Sequence, residues 1–440
     1  MAANTPPSAT EGAIAMRNPS SPSGERNEAH FRIEELFFSR TDDRGVIRSG
    51  NSVFQRVSHY SWDDLIGAPH KLIRHPDMPK AVFYLLWETI KSGRPIGAYV
   101  KNRAKTGQYY WVFAIVTPID GGFLSVRLKP SSTLFPAVEG EYRKLRQAEL
   151  ADDLAADISG PALLARLGDL GWRNYAAFQA RAAVAETCAR DKALHGSVGD
   201  AGCAMGRILE MSAANLDEAK SVLRLCEKLK YTAINLSIHS SKDAAHRQLF
   251  NVISSNFARV CDMLKAQVVD FIASAEDVSD RIHEGLFLLI VARIQTEIVS
   301  LFRDEHVEDG TELDQTREAE LLTAQSHDYS DRARDSLHDM QARVRAFQWR
   351  CDEMKEHVGA LGVTGDVGLI ETARLDRSGS VSFQLLEETA RVQEAMDVAL
   401  KGIVERNTAL ERAIDVASTY DRPRPVRAAP PGPIKLKKAG

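Results

Sequence analysis

The spacing of apolar and polar residues changes once along this chain, near residue 134. From about Phe31 to Thr133 the pieces are short, aromatic-rich and separated by turn residues. Phe37 to Asp42 reads as a strand running into an Asp-Asp-Arg-Gly turn, and Val46-Ile47 opens a second strand, so the two form a hairpin. Ser52 to Ser58 and Ser61 to Ile66 read as short helices, the second started by a Ser cap and stopped by Gly67. Lys80 to Lys91 is a longer helix with Val82, Leu85, Leu86 and Thr89 on one face and Gly93 after it. Three strands follow, Gly97 to Arg103, Tyr109 to Pro118 and Gly122 to Leu128, joined at Lys105-Thr-Gly107 and Asp120-Gly-Gly122. That order predicts an α+β domain: an antiparallel sheet with flanking helices.

Residues 141 to 417 carry few aromatics, many Ala, Leu, Glu, Arg and Gln, and apolar residues three and four apart. Ala219, Val222, Cys226, Leu229, Ala233 and Leu236 form one seam; Phe250, Ile253, Phe257, Val260, Leu264, Val268 and Phe271 form another. This is the period of an all-α antiparallel helical bundle or coiled coil. Small residues on one seam and large ones on the other let two arms interdigitate. Breaks are expected at Ser159-Gly-Pro161, His195 to Gly199, Glu308-Asp-Gly310, Gly359 to Gly365 and Ser378-Gly379. The pattern divides the chain into a leader (1–30), a sheet domain (31–133), connecting helices (134–199), a helical bundle (200–417) and a tail (418–440).

Charge narrows the function classes. Among 440 residues, 56 Lys+Arg face 60 Asp+Glu, a net charge of −4, which does not suggest a nucleic-acid-binding chain. Five cysteines without a Cys-x-x-Cys pair suggest neither a disulfide framework nor a zinc knuckle, and fit a reducing cytoplasm. The first 30 residues are polar, without the apolar core of a signal peptide, and read as a disordered leader. The Pro-rich, basic stretch after Tyr420 reads as a solubilising tail. The strongest apolar run, Leu286 to Ala292, is followed by Arg293 and is far short of the roughly 20 residues of a membrane span. His239 and His246 lack a third metal ligand at convincing spacing, so no metal is expected. No nucleophile elbow, Walker loop, kinase His box or dinucleotide fingerprint occurs, so no enzymatic activity is expected.

Three strings carry a resemblance. Gly67-Ala-Pro-His-Lys-Leu-Ile-Arg-His-Pro-Asp-Met-Pro79, Leu86-Trp87 and Lys101-Asn-Arg-Ala-Lys-Thr-Gly-Gln-Tyr-Tyr-Trp-Val112 resemble the PAS domain of bacterial aerotaxis receptors, over about a quarter of the chain. The resemblance implies a PAS fold that holds FAD without covalent attachment and signals through the flavin redox state. It also implies that Arg74, His75 and Asp77 hold the flavin, with Asn102 on a central strand and Asn51 at the end of the second strand. Arg74 suits a forked, charge-assisted bond to phosphate. His75 can donate to an oxygen, and Asp77 can accept from ribose or orient His75. Asn102 offers a donor and an acceptor to a ring edge. Alternatively, Arg-His-Pro-Asp is a structural turn whose Asp77 caps the next helix. The family often carries Trp just after the Gly-x-Pro turn, where this chain has Ile96; Trp87 and Trp111 suit core positions. A haem held by His70 or His75 is an alternative to FAD.

A second likeness lies in the helices. Ala233 to Ile253 resembles a degenerate hairpin tip of methyl-accepting chemotaxis receptors, with Asn235, Ile238, Phe250, Val252 and Ile253 on matching positions but His239 and Lys242 replacing Glu and Arg. Ile370 to Phe383 echoes it. A duplication would give two hairpins per chain and an intramolecular four-helix bundle, with the turns near Asp243 and Ser378 at one end and Ile238 and Ile370 at similar heights. The resemblances together imply a soluble cytoplasmic redox or oxygen sensor acting on signalling proteins such as the chemotaxis kinase and its coupling protein. The alternative is a non-redox PAS interaction or scaffold protein.

Overall fold

A computed structural model describes residues 27–240, 247–304, 315–374 and 381–421. The sheet domain holds β1 (Phe37–Thr41), β2 (Ile47–Gly50), α1 (Ser52–Ser58), α2 (Trp62–Leu65), a 3-10 turn (His70–Ile73), α3 (Lys80–Lys91), β3 (Ile96–Arg103), β4 (Tyr109–Ile119) and β5 (Gly122–Leu128). The strands pair antiparallel in the order β2-β1-β5-β4-β3, with Phe37 opposite Arg127 and Lys101 opposite Trp111. Ser61 starts α2 through a reciprocal capping box with Asp64. Helix α3 has no side-chain cap of its own: the amides of Lys80 and Ala81 donate to Glu149, so the capping role open to Asp77 falls to a residue 69 positions away.

Both faces of the sheet are covered, so β5 is buried along its whole length instead of alternating. The pleat sends Ser39, Thr41, Val100, Asn102, Ala114, Val116, Ser125 and Arg127 toward α3 and the 3-10 turn. Phe38, Arg40, Gly97, Tyr99, Trp111 and Thr117 point the other way, onto the helical region.

That region consists of α4 (Phe135–Ala151), α5 (Ala156–Asp169), α6 (Tyr175–His195), α7 (Asp200–Ser240), α8 (Arg247–Arg303), α9 (Gln315–Arg374) and α10 (Val381–Ala417). Helices α7 to α10 form a four-helix bundle in which each packs on two others in the cycle α7-α8-α9-α10. The first seam is buried at Ala219, Val222, Cys226, Leu229 and Leu236, and the second at Val268 and Phe271. Two expected breaks are continuous helix. Pro161 lies inside α5. The glycines from Gly359 to Gly365 lie inside α9, where the Gln393 amide of α10 covers Gly362. The break at His195 to Gly199 separates α6 from α7. The breaks at Gly310 and Ser378 lie outside the described residues, as do most of the leader, nearly all of the tail, and His246.

Helix α8 corrects the expectation about apolar segments. Ala266–Arg303 is long and apolar enough to cross a membrane by length and composition, yet 83% of its apolar window is buried inside the protein. Leu286 through Gln295 are buried without interruption. The segment lies between the sheet and the rest of the bundle: Phe287 reaches Gly97 of β3, Phe302 packs edge-on against Phe38 of β1, and Met340 of α9 fills the space beside Gly285. A helix enclosed on all sides is apolar on nearly every face, and the buried Arg293 within it is paired with Asp191.

The register of the bundle follows from its cross-helix ties. Asn215 of α7 donates to Asn407 of α10 at 2.8 Å, and Lys228 pairs with Glu388. Phe271 of α8 stacks on Phe347 of α9 at 5.1 Å. Gln341 of α9 donates to Asp415 of α10 and Gly362 faces Gln393, so α9, like α7, runs antiparallel to α10; α7 and α9 share one direction, and their ends leading toward positions 243 and 378 point the same way. Both turns lie outside the described residues. Ile238 and Ile370 are exposed.

Three buried carboxylates fasten the helices to the sheet domain. Glu149 of α4 accepts from the first two amides of α3 and from Ser159. Glu186 of α6 accepts from Tyr99 at 2.7 Å, from the amides of Ser131 and Ser132 at 2.6 and 3.0 Å, and from the Ser132 hydroxyl at 2.6 Å. Glu318 of α9 takes a forked bond from Arg40 at 2.8 and 2.9 Å and a 2.5 Å bond from Ser49.

Candidate functional site

Between the inner sheet face and α3 lies a cavity of about 220 Å³. Its wall is apolar where α3 presents Phe83, Leu86, Trp87 and Ile90. Its polar groups are mostly donors. Arg127 of β5 is 1% exposed, and its Nη2 donates to Ser39 Oγ at 2.7 Å and to His70 Nε2 at 2.6 Å. The guanidinium lies 5.2 Å from the Phe54 ring centroid and 5.6 Å from that of Phe37. Burial pushes its pKa down to about 10, which leaves it charged at neutral pH. No carboxylate lines the cavity, and no ion pair to Arg127 occurs among the described residues. A buried cation without a counter-charge is costly, so this face favours an anionic or electron-rich ligand.

The His70 ring is held neutral. Burial, then the charges of Arg127 and Arg74, push its pKa down to about 3. Its Nε2 therefore accepts from Arg127, which points that nitrogen at a cation and makes it a poor metal ligand.

Asn102 is 2% exposed and lines the cavity from β3, with its Nδ2 donor unpaired. An orphaned buried donor on a cavity wall marks a place for a ligand acceptor. Arg74 ends the 3-10 turn at the cavity's exposed side, with its guanidinium 3.4 Å from the Phe83 ring centroid. Burial lowers its pKa. Arg44 and Lys71, also exposed, line the same side.

The other sequence-selected residues lie elsewhere. His75 and Asp77 do not line the cavity. His75 Nδ1 accepts the Asp77 amide at 3.1 Å and its ring meets Tyr109 edge-on, while Asp77 Oδ2 pairs with Lys101 at 2.7 Å. Burial and the Lys101 charge hold the His75 pKa below its ordinary range. For Asp77, burial acts upward but Lys101 outweighs it, and the carboxyl titrates low. Asn51 caps α1: its Oδ1 accepts from Phe38 and Phe54 amides and its Nδ2 donates to Leu36 O at 3.2 Å. Its hydrogen-bonding atoms are thus spent on backbone. Ile96 is buried and does not line the cavity, although it shares the cavity face of β3 with Val100 and Asn102. Trp87 lines the cavity and meets Phe123 edge-on, whereas Trp111 packs on the opposite face against Phe135.

Sequence reasoning passed over Arg127. Its signal was available in strand alternation, since Phe123, Ser125 and Arg127 share one face and a charge at an inward position of a two-sided buried strand requires a partner.

Residues 48–126 match the family model of the PAS fold. Over 117 residues, 26% of this chain and 23% of the relative, the sequence is 42% identical to the aerotaxis receptor of Escherichia coli K12. Over 119 residues, 26% of this chain and 22% of the relative, it is 27% identical to a nitrogen fixation regulatory protein of Klebsiella pneumoniae. The chain thus spans under a quarter of the length of either relative. Among solved structures, the blue-light activated histidine kinase EL346 of Erythrobacter litoralis overlaps 40% of this chain and 58% of its own at 12% identity, with a TM-score of 0.23.

Proposed function

The sheet region is an aerotaxis-receptor-like PAS domain, and from this premise we propose that the chain is a cytoplasmic, non-enzymatic redox sensor that binds FAD in the sheet cavity and signals through its four-helix bundle. The observation that carries the reading is the polar set of the cavity: buried Arg127 and Asn102 donors, exposed Arg44, Lys71 and Arg74, and no lining carboxylate. These residues fit a flavin. About 220 Å³ suits its ring system, not the whole dinucleotide, and the exposed cations suit its phosphates. His75 and Asp77, away from the wall, are better suited to holding the loop before α3 than to touching the ring.

A bound flavin supplies a ring whose charge and hydrogen-bonding pattern change on reduction. Asn102 gives its free Nδ2–H to an acceptor on the ligand edge. Arg127 stabilises negative charge at the cavity floor, and His70 and Ser39 fix its orientation. A change in what Arg127 and Asn102 meet is felt on β5 and β3. Those strands carry the other half of their side chains into the helices, through Tyr99 to Glu186 on β3, while Thr117 of β4 takes a bond from Gln295 of α8. The two states need differ by only a few kcal/mol for the redox state to select between them. Partners of chemotaxis-kinase or coupling-protein type would engage the far end of the bundle.

The absorption spectrum of the purified protein tests this. Oxidised-flavin bands that bleach on reduction are expected. A Soret band instead would establish haem, and a featureless visible spectrum after reconstitution with FAD would leave a non-redox interaction module.

A further inference from the structure

A second cavity lies on the other side of the sheet, between α4, α5 and α6. We propose that it is a binding site for a small uncharged aromatic molecule carrying a hydrogen-bond acceptor, distinct from the flavin site. It measures about 400 Å³, and its wall includes Leu134, Val138, Leu163, Leu167, Trp172 and Phe178. That size and lining are those of a small-molecule pocket.

Two observations separate it from a packing defect. Tyr142 of α4 lines it, is 4% exposed, and has a hydroxyl with no hydrogen-bond partner. The neighbouring hydroxyl of Tyr175 is already committed to Gly97 O at 3.0 Å. One buried donor is thus left for an acceptor from outside the protein. Gly140 lies in the middle of α4, also on the wall, and nothing stands within 4 Å of the Cβ it lacks. A glycine there forgoes the helix stability that a larger residue would add, and keeps the space open.

The charges at the cavity are paired with one another. Glu141 accepts from Lys144 at 2.8 Å and from Arg166 at 2.8 Å. A charged ligand would have to break that set, whereas a neutral one leaves it intact. The ligand would also touch the output side of the sheet. The Tyr142 ring is 6.4 Å from that of Trp111 on β4, and Tyr175 is bonded to β3. Occupancy here therefore acts on β3 and β4 from the face opposite the first cavity.

The test is a fluorescence titration of the full chain with Nile red, a neutral aromatic dye bearing a carbonyl. Gly140→Leu should fill the cavity and weaken dye binding at least tenfold, with the thermal midpoint unchanged or raised. Tyr142→Phe should weaken it about fivefold, the value of one hydrogen bond. Leu163→Trp fills the same space from α5 and replaces Gly140→Leu if that variant does not fold. No dye binding by the native protein, or equal binding by native and filled variants, would overturn the proposal.

Discussion

The two faces of the PAS sheet treat their polar groups in opposite ways. On the cavity face, Arg127 has no carboxylate partner and Asn102 Nδ2 has no acceptor. On the helix face, Tyr99, Arg40 and Ser49 all end on buried glutamates from α6 and α9. Both faces are comparably dry, so burial does not explain the difference. The cavity face keeps donors that a ligand could satisfy, whereas Tyr99, Arg40 and Ser49 on the helix face are already paired with protein. A sheet built this way holds the helices firmly and leaves its adjustable contacts on the other side, as the proposed transmission from ligand to bundle would require.

The largest effect should come from opening the closed face. Glu186→Ala strands the Tyr99 hydroxyl, two amides and the Ser132 hydroxyl, and should cost on the order of 3–5 kcal/mol in chemical denaturation. Glu186→Gln, which retains an acceptor, should cost less. A loss under about 1 kcal/mol for the alanine variant would mean that the helix face is not fastened there.

Next comes the pH response of the cavity face. His70 has a folded pKa of about 3, below the unfolded value of about 6.5. Between those values the unfolded chain binds a proton that the folded chain refuses, so stability falls as pH drops. The slope from this one group is at most about 1.4 kcal/mol per pH unit. His70→Gln keeps an acceptor for Arg127 and should flatten the profile between pH 6 and 4. Identical slopes in both proteins would show that His70 does not carry the effect.

Arg127→Met should behave unlike Glu186→Ala. It removes an unpaired buried cation, a gain that offsets the lost bonds to Ser39 and His70, so ligand-free stability should stay within about 1 kcal/mol of the native value. Flavin content should fall. A loss as large as that of Glu186→Ala would erase the contrast between the faces.

The smallest stability change is expected for exposed Arg74→Ala, within about 0.5 kcal/mol. Its flavin affinity should nevertheless drop by the roughly 1.5–3 kcal/mol of a charged hydrogen bond. Full flavin occupancy after purification and dialysis would remove Arg74 from the site.

Local sequence fixed the elements that depend on local chemistry. The Ser61 cap of α2, the turn at Lys105-Thr-Gly107 and the hairpin of β3 and β4 around it were legible because their partners lie within a few residues. The seam of α7 was equally legible, since a helix buries one stripe at a fixed period. Of the candidate site, Arg74 and Asn102 line the cavity, whereas His75, Asp77 and Asn51 belong to the loop and cap around it. Arg74, His75 and Asp77 share one stretch of motif, and motif proximity does not say which side of a backbone a side chain takes.

What only the tertiary structure decided are the interactions that close over long separations. Glu149 caps a helix 69 residues away, Glu318 reaches Arg40 across 278, and Gly362 lies within a continuous helix instead of at a break. The apolar run of α8 is the clearest instance: its composition alone fits a membrane span or a core helix, and its enclosure between sheet and bundle selects the second. Periodicity records how many faces of an element are dry. It does not record what dries them, because that depends on which distant element arrives there, and no local pattern encodes an arrival.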